Sequence, residues 1–162
     1  MIIQSFAPIA APDAEILILG SMPGIASLEA NQYYAHPRNA FWGIMGELYG
    51  AGIVLPYDGR QSVLKSRRVA VWDVLQFCQR EGSLDSNIRE EVPNDFARFF
   101  AAHPHIRRVG LNGGKAAKSF EKYARPYLPP SAIAVTLPST SPAHAAKRFE
   151  QKCAEWRAAL ID

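Results

Sequence analysis

The run Ile16-Leu17-Ile18-Leu19 passes directly into GSMPGIASLEANQYYAHPRNAFW, from Gly20 to Trp42, and this passage decides how the chain folds. The apolar run reads as a buried parallel strand. Beyond the passage, Phe41, Ile44, Met45, Leu48 and Tyr49 recur at helical spacing. A strand-to-helix connection ordinarily takes about 2–6 residues. This one holds two glycines, two prolines, two adjacent tyrosines, a histidine, an arginine and two asparagines. Open α/β sheets put their ligand sites at the carboxyl ends of strands, in such loops. The surplus of loop is the first sign of function.

Working outward, three more short runs rich in Val, Ile and Leu read as strands: Val69–Trp72, Arg108–Leu111 and Ala132–Leu137, beside Glu15–Leu19. Helical patterns separate them. Ala40–Tyr49 follows the first strand, Asp95–Ala102 precedes the third, and Lys115–Tyr123 follows it through Gly113-Gly114. A last helix is expected over Ala143–Leu160, with Ser141 as its cap and Pro142 in its first turn. The stretch Glu81–Glu91 reads as a loop. Alternating strands and helices predict a parallel sheet covered on both faces with right-handed crossovers. At its carboxyl edge converge the Gly20–Asn39 loop, Asp73 with the loop beyond it, Asn112-Gly113-Gly114, and Pro138-Ser139-Thr140-Ser141. A pocket is expected there.

Composition bounds the rest. At 162 residues the chain reads as one domain, 1–162. No apolar run approaches the ~20 residues of a membrane span. The start lacks a signal-peptide pattern, and the two distant cysteines, Cys78 and Cys153, read as reduced thiols. A cytoplasmic protein is expected. A net charge of +3 permits a nucleic-acid partner without demanding one.

Taken singly, the polar residues have plain readings. Asn39 suits a helix cap, Asn112 a turn, and Ser139-Thr140-Ser141 the start of the last helix. Tyr33 and Tyr34 suit either core or surface. Dinucleotide and P-loop fingerprints are absent, GSMPG is no nucleophile elbow, and His103-Pro-His105 is no metal site. Taken together, the edge offers amides, hydroxyls, aromatics and helix starts without an evident acid–base pair. That suits dissociative cleavage of an N-glycosidic bond, with a positioned water, hydrogen bonds to the departing base and an aromatic platform. An extruded nucleotide of DNA would present such a bond.

Four pieces carry a resemblance: the Gly20–Trp42 passage, WDVLQFCQREGSLDSNI (Trp72–Ile88), LNGGKA (Leu111–Ala116) and LPSTSPAH (Leu137–His144). They resemble, in order and over most of the chain, the uracil-DNA glycosylase superfamily, and within it the hypoxanthine-DNA (DNA-deoxyinosine) glycosylases. The first piece is highly specific and is also similar to the GINPG…AHPxNxFW loops of mismatch-specific uracil and thymine glycosylases. Where those relatives hold a water-activating asparagine, this chain has Met22, which lacks a strong hydrogen-bonding group.

The resemblance implies a three-layer α/β/α sandwich around a four-stranded parallel sheet. It implies that Asn39 takes the catalytic role by holding the attacking water. Tyr34 would stack on the flipped base and Asn112 would read its Watson–Crick edge, with Ser21, Met22, Pro23 and Gly24 forming the base pocket. His36, Arg38, Ser139, Thr140, Ser141 and His144 would meet the DNA backbone, with the N-terminus of the last helix near the phosphates. Lys147, Arg148, Lys152 and Arg157 read as a solvated helix face or an extension of that surface. The expected partner is double-stranded DNA with a deaminated base, bound by a monomer, with no metal, cofactor or membrane. The expected reaction removes hypoxanthine and leaves an abasic site. The alternatives are a uracil or mismatched-thymine glycosylase, a damage-binding protein with weakened chemistry, and an enzyme of free nucleosides.

Overall fold

The computed structural model describes residues 2–162. Four parallel strands form the main sheet: β2 (Ile16–Gly20), β3 (Val69–Asp73), β6 (Arg108–Asn112) and β7 (Ile133–Leu137), in the order β3-β2-β6-β7. β2 is buried at every position, as the sequence Ile-Leu-Ile-Leu-Gly requires of a strand covered on both faces.

Alternation along the strands divides the core in two. Leu17, Leu19, Ala70, Trp72, Val109 and Leu111 pack with Phe96, Phe99 and Phe100 of α4 (Phe96–Ala102) and Phe120 of α5 (Gly114–Tyr123). Ile16, Ile18, Val69 and Val71 point the other way. They meet Phe41, Ile44, Met45 and Leu48 of α2 (Phe41–Tyr49), Leu64 of α3 (Tyr57–Ser66), and Trp156 and Leu160 of α6 (Phe149–Leu160). The period of two in a strand thus builds the three expected layers.

A second sheet lies outside the sequence expectation. β1 (Ile2–Gln4), β4 (Leu75–Gln79) and β5 (Arg89–Pro93) pair antiparallel in the order β1-β4-β5. The chain leaves β3 at Asp73 and, after Val74 alone, enters β4. The backbone of Val74 and Leu75 still donates to Gly20 and Ser21 at 2.9 and 3.2 Å. β4 and β5 therefore form a hairpin whose connection, residues 80–88, rises beside the end of β2. The Glu81–Glu91 loop is corrected at its end, since Arg89 begins a strand.

The last helix is also corrected. It begins at Phe149, six residues later than Ala143. The Ser141 hydroxyl does accept a backbone N–H, from Ala143 at 3.2 Å, but this closes an isolated turn. Residues 143–146 are exposed and so have no apolar face to bury as a helix. The short α1 (Ile25–Ala30) lies inside the long loop and was not foreseen.

Candidate active site

The loops at the carboxyl ends of the parallel strands enclose a cavity of about 430 Å³. That is a volume in the range of small-molecule sites. Of the residues singled out from sequence, Ser21, Met22, Pro23, Gly24, Tyr34, His36, Asn39, Asn112, Ser139, Thr140, Ser141 and His144 line it. Arg38 does not; it is exposed on the rim.

The aromatic platform is built under constraint. Tyr33 is core: its hydroxyl donates to the Ala7 carbonyl at 2.8 Å, its carbonyl accepts from the Trp42 indole at 2.8 Å, and its N–H meets the Tyr57 hydroxyl at 3.0 Å. Tyr34 follows in the left-handed region, at φ 53°, a conformation unfavourable for a non-glycine residue and maintained here by its neighbours. The Ser27 hydroxyl, accepting from the Ala35 N–H at 3.1 Å, fixes the far side. The Tyr34 ring stacks on Phe41 with centroids 4.0 Å apart. Its hydroxyl is buried and makes no hydrogen bond of good geometry, with the Asn112 amide as a nearby polar influence. Burial, reinforced by the Asp73 charge, holds this phenol far above its ordinary pKa.

Asn39 stands one residue ahead of the N-cap expected of it, which is Ala40, and braces the start of α2 from there. Its Oδ1 accepts the Phe41 N–H at 2.9 Å, closing an i,i+2 turn that leads into α2. Its Nδ2 takes no hydrogen bond among the described residues, and Asn39 lines the cavity. Asn112 is held from one side. Thr140 donates its backbone N–H to Oδ1 and accepts from Nδ2 with its hydroxyl, both at 3.0 Å. The Thr140 carbonyl accepts the Ala40 N–H at 3.0 Å, so one residue ties Asn112 to the start of α2. Thr140 is 1% exposed and committed to these bonds, an orienting position that sequence reasoning assigned to DNA contact. Gly113, at φ 94° and with Ser139 Cβ 3.0 Å from where its own Cβ would stand, brings this segment close.

The opposite wall is the β4–β5 connection, of which Ser83, Leu84, Asp85 and Ser86 line the cavity. Asp85 accepts from the Ser21 hydroxyl at 2.8 Å, and Ser83 Oγ accepts the Ile25 N–H at 2.8 Å. Arg80, 4% exposed, donates to the Pro23 carbonyl and to the Gly82 carbonyl, the latter at 2.8 Å. Sequence reasoning assigned no role to Arg80, Ser83 or Asp85. It placed Asp73 at the edge without a function, whereas the carboxyl lines the cavity at 3% exposure. The signal was available for Asp73 alone: a carboxylate ending an otherwise apolar strand.

The basic surface is largely not free. Lys152 is buried and donates to the His144 carbonyl at 2.7 Å, burial lowering its pKa. Lys147 pairs with Glu155 at 2.6 Å, and Arg157 donates to the Glu47 carbonyl at 3.1 Å. His144 itself is exposed. Since α6 starts at Phe149, its N-terminus is not formed by Ser139-Thr140-Ser141. Among the described residues no group of His, Cys, Asp or Glu is placed to hold a metal, and no helix is long and apolar enough to cross a membrane.

Comparison with known proteins agrees with this architecture. The family model for the uracil DNA glycosylase superfamily matches residues 7–162. A hypoxanthine DNA glycosylase of Methanosarcina acetivorans is 36% identical over 160 residues, 98% of each chain. One of Methanosarcina barkeri is 37% identical over 116 residues, 71% of this chain and 73% of the relative. The solution NMR structure of a candidate uracil DNA glycosylase from Methanosarcina acetivorans superposes with a TM-score of 0.80. Its identity is 34%, covering 98% of this chain and 99% of that one. With the match running through every strand of the main sheet and every wall of the cavity, the chain belongs to the uracil DNA glycosylase superfamily.

Proposed function

We propose that the protein is a DNA glycosylase that hydrolyses the N-glycosidic bond of a deaminated base flipped out of duplex DNA, with hypoxanthine as its principal substrate. The observation carrying this reading is the Asn112–Thr140 pair. A carboxamide has two donor and two acceptor positions, and Thr140 occupies one of each. The backbone N–H of Thr140 requires Oδ1 beside it, so turning the amide over would lose that bond and set one N–H against another, although the Thr140 hydroxyl could serve either orientation. The remaining lone pair and N–H match the N1–H donor and O6 acceptor of hypoxanthine. Adenine, with the reverse pattern, would oppose them.

In this reading the base stacks on Tyr34, an interaction worth about 1–3 kcal/mol. Asn39 holds the attacking water through the amide hydrogens that its bond to the Phe41 N–H leaves over. Met22, buried at 7% exposure, contributes apolar floor in place of a second water-holding amide. Ser139, Ser141, His36, Arg38 and His144 meet the backbone of the flipped strand at the rim. Uracil offers the same donor and acceptor as hypoxanthine, so the amide alone does not exclude it.

Single-turnover excision from duplexes carrying one hypoxanthine, one uracil or one mismatched thymine tests the reading. Hypoxanthine release faster than uracil or thymine release, lost in Asn39→Ala, is the expected result. Release of uracil instead would keep the pocket but replace the substrate. Tight lesion binding without release would make the protein a damage binder.

A further inference from the structure

The roles of Tyr34, Asn39 and Asn112 leave Asp73 without a part in the reaction. It ends β3 in register with Gly20, so Asp73 and Asn112 terminate the two strands flanking β2. Their backbones stand about 10 Å apart on strand spacing alone, with the Gly20 end of the pocket floor between them. Asp73 Oδ2 is buried and has no hydrogen-bond partner among the described residues. Oδ1 lies 2.5 Å, and Tyr34 Oη 2.7 Å, from where a Cβ on Gly20 would stand. Carboxyl and phenol therefore crowd one spot at the bottom of the cavity. A bare carboxylate is costly there; a neutral carboxyl with a hydrogen to give costs far less, and less still once a substrate accepts that hydrogen.

The surrounding charges agree. Burial, then the Asp85 carboxylate, push the Asp73 carboxyl up to about 7, against the pull of the Arg80 guanidinium. From the long loop, Tyr33 and Tyr34 face it as neutral phenols. His36 lines the same cavity from that loop, and Lys115 and His144 line it from two other segments.

We infer that Asp73 is the general acid of the reaction, passing its carboxyl hydrogen to N7 of the departing purine. This rests on the reading of the substrate as a deaminated purine. With the N1–H and O6 edge against Asn112, N7 is the next group around the ring. Asp73 is the next strand-end side chain across the floor. As the C1′–N9 bond breaks, its electron pair passes into the base, and the proton from Asp73 lets the base leave neutral. The water held by Asn39 forms the new C1′–O bond. The proton that water gives up returns to solvent, from which Asp73 is reprotonated, so one water is consumed. Uracil has no N7, so this proton favours purines.

The test is single-turnover release of hypoxanthine by wild type and Asp73→Asn between pH 5.5 and 9, with binding to a duplex carrying uncleavable 2′-fluoro-deoxyinosine measured alongside. Wild-type release should be level at low pH and fall about tenfold per pH unit once Asp73 ionises. Asp73→Asn should bind the uncleavable duplex within a few-fold of wild type. Its release should be about 100-fold slower at pH 6, in the range general acids supply, and flat with pH. His36→Gln and His144→Gln should keep the falling limb. An Asp73→Asn rate within tenfold of wild type, or a limb that vanishes with either histidine instead, would overturn the inference. Wild-type protein that releases no hypoxanthine at any pH would overturn the underlying function, a separate outcome.

Discussion

Thr140 grips the carboxamide of Asn112 with its backbone N–H and its hydroxyl at once, both at 3.0 Å, and so decides which way the amide faces. Replacing Asn112 by Asp puts an acceptor where Nδ2 donates, toward both Thr140 Oγ1 and the substrate O6. Hypoxanthine excision by Asn112→Asp should fall about 100-fold or more, a loss of roughly 3 kcal/mol in transition-state binding. Thr140→Val keeps the backbone bond and should cost less, about tenfold. Single-turnover rates of the two variants decide the order.

Asn39 combines a turn-closing hydrogen bond with a proposed catalytic amide, and the two separate by substitution. Asn39→Ala removes the bond to the Phe41 N–H and should lower stability by about 1 kcal/mol. Asn39→Asp retains an oxygen for that N–H and should restore the stability. Denaturant midpoints of both, beside their excision rates, distinguish lost folding from lost chemistry.

Gly20 should tolerate no side chain. A Cβ there meets Asp73 Oδ1 at 2.5 Å and Tyr34 Oη at 2.7 Å, so one or both side chains must shift to admit it. Gly20→Ala should displace Tyr34 from its stack on Phe41, destabilise the fold by about 1–3 kcal/mol and abolish tight lesion binding. Near-ultraviolet dichroism and lesion binding would register both effects.

The Asp73 carboxyl also sets a pH dependence of stability. Raised from 3.8 to about 7, it holds its proton in the folded protein where the unfolded chain has lost it. Stability therefore falls as pH climbs between those values and stays low above them. At pH 8, Asp73→Asn should be more stable than wild type by roughly 2–4 kcal/mol, a gap that closes below pH 4. Asp85→Asn, which removes a charge opposing ionisation, should move the midpoint of wild-type behaviour to lower pH.

The parallel strands were legible because burial on both faces leaves nothing but Val, Ile, Leu and their like, as in Ile16–Leu19. The second sheet was not. Arg-Glu-Glu-Val-Pro has no apolar alternation of its own and becomes a strand through pairing with β4. The polar α3, where Leu64 alone is buried, was missed for the same want of pattern. Ser141-Pro142 carried the local chemistry of a helix start, yet the alanines after it have no core to cover. The motif loops brought the pocket residues together as their order suggested. What order does not encode is commitment: the engagement of Thr140 with Asn112, and the solitude of Asp73 Oδ2, are properties of three dimensions.

The two sides of the cavity belong to different sheets. Asn112 and the floor stand on the parallel sheet, whose β2 and β3 are buried at every position, whereas Ser83, Leu84, Asp85 and Ser86 ride on a connection, residues 81–87, that is exposed throughout. A change of length or sequence in residues 81–87 alters the room beside the base without disturbing a buried strand. Evolution therefore has a cheap dial for admitting bulkier or slimmer lesions, while the groups assigned to breaking the bond stay in place.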